Sequence, residues 1–203
     1  MDLDALARRI RDRLHGRRRR ELAAPGLRRA AVLLALVAAG GEVSVLLTRR
    51  TDTVEHHKGQ ISLPGGMADP SDAGPVETAL RETEEELGVP RTAVDVLGVL
   101  DDVLTVVSGF VITPVVGILR PTVDLRANAA EIAEVLVVPL RVFTDPRALR
   151  VERRLRDGRW VDVLFYRYGP HDIWGATARI LKEFIDAVFG EDAPPPRNVG
   201  SDP

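Results

Sequence analysis

The segment Pro75–Leu87 reads as a helix marked at both ends, and its charge pattern is one that surface helices avoid. Gly74 suits the cap, Pro75 the first helical position and Gly88 the left-handed stop. Val76, Ala79, Leu80, Thr83 and Leu87 recur at helical spacing, which predicts one buried stripe. Glu82, Glu85 and Glu86 share the opposite side within one turn. Like charges at i,i+4 cost about 0.2–0.5 kcal/mol per pair, and Arg81, flanked by Glu77 and Glu84 and four residues before Glu85, is the local cation that relieves them. Taken alone, this helix fits either a solvated acidic face or oxygen ligands for a hard divalent cation, Mg²⁺ or Mn²⁺.

Ahead of the helix, Leu63-Pro64-Gly65-Gly66 places two glycines where backbone takes positive φ or approaches a ligand closely. An exposed carbonyl there would be a neutral oxygen ligand beside the carboxylates. Upstream, Ala31–Leu36 and Val43–Leu47 read as an antiparallel hairpin around Gly40-Gly41. Val94–Val99, Val111–Leu119, Glu134–Val138 and Val161–Tyr166 read as strands, Asp124–Ala130 as a loop and Ala176–Phe189 as a helix ending at Gly190. Hairpins mixed with one crossover predict an α/β sandwich, a mixed sheet flanked by helices.

Composition removes whole classes of function. The chain has no cysteine, which excludes disulfide scaffolds, thiolate metal sites and cysteine nucleophiles. A net charge of −2 recommends neither nucleic acid nor an anionic membrane as partner. The longest apolar run, the 12 residues Ala30 to Gly41, falls short of the roughly 18–20 that span a bilayer. Asp2, Asp4, Asp12 and Glu21 argue against a signal or transit peptide, so a cytoplasmic location is expected.

Residues 1–29 form a basic extension whose Leu3, Leu6, Ala7, Ile10 and Leu14 predict an amphipathic helix ending near Gly16. The run Arg17–Arg20 reads as a solvated stretch, with an anionic ligand or RNA as the alternative. Residues 30–190 make the domain, and residues 191–203, with four prolines, a disordered tail.

Gly66 through Val89, ending Arg81-Glu82-Thr83-Glu84-Glu85-Glu86-Leu87-Gly88-Val89, resembles the Nudix box, G-x5-E-x7-R-E-U-x-E-E-x-G-U with U apolar. Asp72 stands where the pattern has Glu, with eight residues rather than seven between it and Arg81. That departure occurs in the coenzyme A pyrophosphatase branch of the Nudix hydrolases. Leu46-Leu47-Thr48-Arg49-Arg50 and His57-Lys58-Gly59-Gln60-Ile61-Ser62-Leu63-Pro64-Gly65-Gly66 are similar to the branch's upstream signature, with Leu63 for a usual phenylalanine. Leu100-Asp101-Asp102, Thr113-Pro114, Glu131-Ile132-Ala133-Glu134 and Ile173-Trp174-Gly175-Ala176 extend the resemblance over about residues 30–188.

The resemblance implies a Nudix-type α/β/α sandwich that hydrolyses a nucleoside diphosphate linkage with Mg²⁺ or Mn²⁺. The expected substrate is coenzyme A or a derivative, cut to 4′-phosphopantetheine and adenosine 3′,5′-bisphosphate. ADP-ribose or another nucleotide diphosphate is the alternative, and a non-catalytic nucleotide-binding module the alternative of another class. Glu82, Glu85 and Glu86 are the implied metal ligands, with the Gly66 carbonyl as a fourth. Arg81 would hold the carboxylate array by reaching Glu85 or Glu77. The base is a box glutamate, Glu85 first, or Glu131 from a later loop. Arg50, His57 and Lys58, with Gly65 and Gly66, would meet the substrate. His57 serves equally as a neutral imidazole bonded to the loop, and Gln60 is assigned to bonding backbone in the turn. Trp174 is read as an anchor for the last helix rather than a base-stacking ring, and Arg49 as facing solvent opposite Arg50. No membrane or nucleic-acid partner is expected, and a homodimer is left open.

Overall fold

The computed structural model describes residues 2–51, 59–105, 109–120, 123–156 and 158–190. In chain order these form α1 (Leu3–His15), β1 (Arg28–Ala39), β2 (Glu42–Arg50), β3 (Ile61–Ser62), β4 (Gly65–Met67), α2 (Pro75–Leu87), β5 (Val94–Val99), β6 (Val103–Leu104), β7 (Phe110–Leu119) and β8 (Ile132–Pro139). Then follow α3 (Leu140–Thr144), β9 (Leu149–Arg156), β10 (Arg159–Tyr168), β11 (His171–Trp174) and α4 (Gly175–Phe189).

β1 organises the main sheet. It pairs antiparallel with β2 and β4 and parallel with β7, so the sheet is mixed. The order is β3-β2-β1-β7-β5, with β4 also on β1, β6 on β7 and β8 on β2. Gly40 and Gly41, at φ of 58° and 80°, supply the two left-handed positions of the tight β1–β2 turn. Ala31, Leu33 and Ala35 pack with Ala79 and Leu87 of α2, while Leu34 and Leu36 belong to the larger core with α1 and α4. A strand buried on both faces needs a nearly unbroken apolar run, which accounts for the one at Ala30–Gly41. The result is an α/β/α sandwich, α2 on one face and α1 and α4 on the other. Among the described residues no helix is long and apolar enough to cross a membrane.

The basic extension packs into this body. Leu6, Ala7, Ile10 and Leu14 of α1 are buried in the larger core. The solvated reading fails for two arginines of the run that follows: Arg17 pairs with Asp101, and Arg19 lies 2.6 Å from the buried Asp102.

Two further differences have physical causes. On α2, Thr78 and Glu86 are buried besides Ala79, Thr83 and Leu87, because β4 and a later loop cover a side that spacing alone left to solvent. A second antiparallel sheet, β11-β10-β9, was legible only as Val161–Tyr166. β9 is Arg150-Val151-Glu152-Arg153-Arg154 at its middle, and charge masks its alternation. Trp174 stands just before α4 with its ring stacked on Phe165 at 5.9 Å, in keeping with an anchoring role.

Candidate active site

The glycine turn is fixed by contact with β1. Gly65 and Gly66 pair with Val32 and Ala31, and the Leu33 N–H donates to the Pro64 carbonyl at 2.8 Å. At Gly65, φ is 147° and an added Cβ would lie 2.3 Å from the Ala31 carbonyl oxygen. At Gly66 the obstacle is the site itself, since a Cβ would lie 2.3 Å from Oε2 of Glu82.

Arg81 ties the helix to the loop before it. Its Nε and Nη2 each donate to Asp72 at 3.0 Å, and Nη2 also donates to the Met67 carbonyl at 2.9 Å. Nη1 donates to Glu82 at 2.8 Å and to Glu85 at 3.3 Å. These bonds hold the Asp72 carboxyl well below the usual carboxylate range. The residue that departs from the box pattern is thus the anchor of the box arginine. Glu77 is not reached by Arg81; it and Glu84 pair with Arg91 at 3.3 and 3.0 Å.

The three box glutamates have different surroundings. Glu86 is 4% exposed and accepts from the Gly65 N–H at 3.1 Å. Burial pushes its carboxyl up to about 7, against the Gly65 N–H and Arg50, with the Glu131 and Glu82 charges adding to the rise. Glu82 is also raised, first by burial, with Arg81 pulling it down and Glu85 and Glu131 pushing it up. Glu85 is 59% exposed and turned to Arg81.

Glu131 reaches this cluster because its loop docks on the end of α2. The Arg126 and Asn128 amides donate to the Leu87 and Glu86 carbonyls, both at 2.8 Å, and Asn128 Nδ2 donates to Glu131 at 3.3 Å. Arg50 stands between, 3.6 Å from Glu86 and 3.8 Å from Glu131. A bulge in the β2–β8 pairing falls at Arg49/Arg50, and Arg49 is not free in solvent but bonded to Glu134 at 2.9 Å. His57 and Lys58 lie outside the described residues.

Glu82, Glu86 and Glu131 therefore converge beside Gly65-Gly66 with more negative charge than Arg50 and Arg81 offset. Hard oxygen donors with surplus charge fit a hard divalent cation. As placed, no three acidic or histidine side chains among the described residues close a ligand cage; Glu85 is held away by Arg81. The sequence marks Asp72 as a departure from the box but not as the partner of Arg81, and it carries no sign of Asn128 or the docking of its loop.

Fold and site together define a hydrolase of the Nudix type. The NUDIX domain model matches residues 26–164, and the chain belongs to that family. It is 41% identical to the uncharacterized Nudix hydrolase NudL of Photorhabdus laumondii subsp. laumondii over 161 residues, 79% of this chain and 85% of the relative. It is 39% identical to the uncharacterized NudL of Yersinia enterocolitica, over 78% of this chain and 80% of that one. The NUDIX hydrolase from Alicyclobacillus acidocaldarius shares the fold, with TM-score 0.53, 21% identity and coverage of 80% of this chain and 93% of that one. Family membership supports a diphosphatase, and Nudix hydrolases generally use divalent metal ions.

Proposed function

We propose that this protein is a coenzyme A diphosphatase using Mg²⁺ or Mn²⁺ in the cytoplasm. The observation that carries the hydrolytic part is the convergence of Glu82, Glu86 and Glu131 on the glycine turn. Glu82, Glu85 and Glu86 are the proposed metal-holding groups, with the Gly66 carbonyl as the proposed fourth. When bound, the ion supplies charge neutralisation at the diphosphate and a more acidic water.

The chain's own residues do the rest. Arg81 fixes the position of Glu82 through Asp72 and the Met67 carbonyl. Glu131, 46% exposed and held by Asn128, is the proposed base that takes the proton from the attacking water. Arg50 restrains Glu86 and Glu131 and is the proposed contact for the substrate phosphates. Gly65 lets the turn pack against β1, and Gly66 leaves room for the Glu82 carboxylate.

The choice of coenzyme A rests on the resemblance of Arg50 to Gly66 to the coenzyme A signature, because the box serves any Nudix substrate. The test is kcat/KM with product analysis for coenzyme A, its 3′-dephospho form and ADP-ribose. One charge-assisted contact to the 3′-phosphate is worth about 1.5–3 kcal/mol, roughly ten- to hundredfold. Arg50→Ala removes that preference if Arg50 reads the phosphate, and lowers all three substrates alike if it serves only the carboxylates. A tenfold preference for ADP-ribose would overturn the substrate assignment and leave the diphosphatase.

A further inference from the structure

The β9–β10 ribbon changes character along its length. At its base Tyr166 is buried, and Leu149 and Leu164 pack on the larger core. Register sets Val151 opposite Leu164, Arg153 opposite Asp162 and Leu155 opposite Trp160. Cross-strand partners share a face and alternate residues point to the same side. The face that carries Tyr166 into the core therefore continues outward as Val151, Arg153, Leu155, Trp160 and Asp162. There its apolar side chains lose their cover: Val151 is 52% exposed, Leu155 58% and Trp160 62%. Six large hydrophobics are exposed among the described residues, and three of them share this ribbon face. Clustering of that kind marks an interaction surface, where scattered exposure would not.

Charge selects the occupant. Segment 147–160 carries six arginines against Glu152 and Asp157, which suggests an anionic partner until the faces are separated. Arg150 and Arg154 pair with Glu152 and lie over the Phe165 ring on the other face. The apolar face holds one cation and one anion, Arg153 and Asp162, 3.9 Å apart. Nucleic acid or an anionic bilayer calls for net positive charge on the docking face, and this one is balanced. An apolar centre with one charge of each sign is complementary to itself about a two-fold axis. Each copy's Arg153 can then meet the other's Asp162 while Leu155 and Trp160 pack across. The arginines spread along the edge strand β9 oppose strand-to-strand pairing, so contact is face to face.

We propose that the Val151–Leu155–Trp160 face of the β9–β10 ribbon is an isologous interface with a second copy of this chain.

Sedimentation velocity on the full chain over a concentration series tests this. The wild type is expected to show a concentration-dependent monomer–dimer equilibrium. A buried tryptophan at an interface centre is a common hot spot, so Trp160→Ala should raise the dissociation constant by at least about tenfold. Arg153→Asp should weaken the dimer, and Arg153→Asp combined with Asp162→Arg should restore it. Circular dichroism melts matching the wild type verify that each variant folds; the charge pair keeps the test open should Trp160→Ala fail to fold. A wild type that stays monomeric at millimolar concentration overturns the interface, as does a dimer indifferent to both the tryptophan and the charge-pair variants. A monomer that cosediments with phosphatidylglycerol vesicles also overturns it, in favour of a bilayer.

Discussion

Replacing Asp102 by Asn tests whether residues 17–29 are part of the domain's structure. The Asp102 side chain is wholly buried and accepts from Arg19 at 2.6 Å, Thr113 at 2.7 Å, the Leu22 N–H at 2.9 Å and Arg29 at 3.2 Å. Four donors converge on two oxygens, so the amide must turn an N–H₂ toward donors whichever way it is placed. It also leaves Arg19 without its buried counter-charge, beside an Arg19 Nε that already lacks a partner. Removing one side of a buried ion pair costs about 3–5 kcal/mol. At about 2–4 °C per kcal/mol for a domain of this size, Tm should fall by roughly 6–20 °C.

The same substitution fixes a pH dependence. Burial alone would raise the Asp102 carboxyl, but hydrogen bonds from Arg19, Leu22 and Thr113 and the Arg19 charge outweigh it, and the carboxyl is lowered from 3.8. A lowered folded value means that the unfolded chain binds more protons in the window below 3.8. The stabilisation is therefore complete above that value and lost as pH falls through the folded one. Melts by circular dichroism should show the gap between wild type and Asp102→Asn full at pH 7 and closing in acid. A gap under about 0.5 kcal/mol at pH 7, within the usual scatter of surface substitutions, would refute the reasoning. So would a gap that does not shrink on acidification.

The remaining predictions concern the site. Glu85→Gln should lower kcat by about a hundredfold or more at saturating Mg²⁺ and leave Tm unchanged, because this side chain is exposed; full activity would remove Glu85 from the metal-holding set. Glu131→Gln should lower kcat by about 10²–10⁴ while Mn²⁺ affinity, read by titration calorimetry, stays within about twofold; an unchanged rate returns the base to Glu85. Gly65→Ala should destabilise the fold, since its Cβ meets β1 backbone, whereas Gly66→Ala meets only the Glu82 carboxylate and should cost activity and metal affinity with a smaller change in Tm. Equal losses of Tm in the two glycine variants would contradict this division.

How much could be read in advance follows the range of the interactions. The caps at Pro75 and Gly88, the hairpin at Gly40-Gly41, the stripe of α1 and the extent of α4 are local, and the sequence placed them. β9 was missed although Leu149, Val151 and Leu155 alternate and Asp157-Gly158 is a strong turn signal; Arg153 interrupts the pattern, because that stretch leaves the core. The long-range part of the site was out of reach. Nothing near Asp124–Ala130 separates a loop lying free from one docked on a helix.

Yet the helix itself posed the question that the loop answers. α2 has no basic residue in its last turn, and Glu84, Glu85 and Glu86 stand there against the negative end of its dipole. Its last carbonyls also need donors. The structure meets each demand separately: Arg91 pairs with Glu84, the Arg126 and Asn128 amides take the Leu87 and Glu86 carbonyls, and Gly65 and Arg50 face Glu86. Capping those carbonyls is what brings Glu131 to the cluster. The charge that the helix leaves uncompensated is thus increased by the very loop that completes its end, and the proposed cation would relieve both at once.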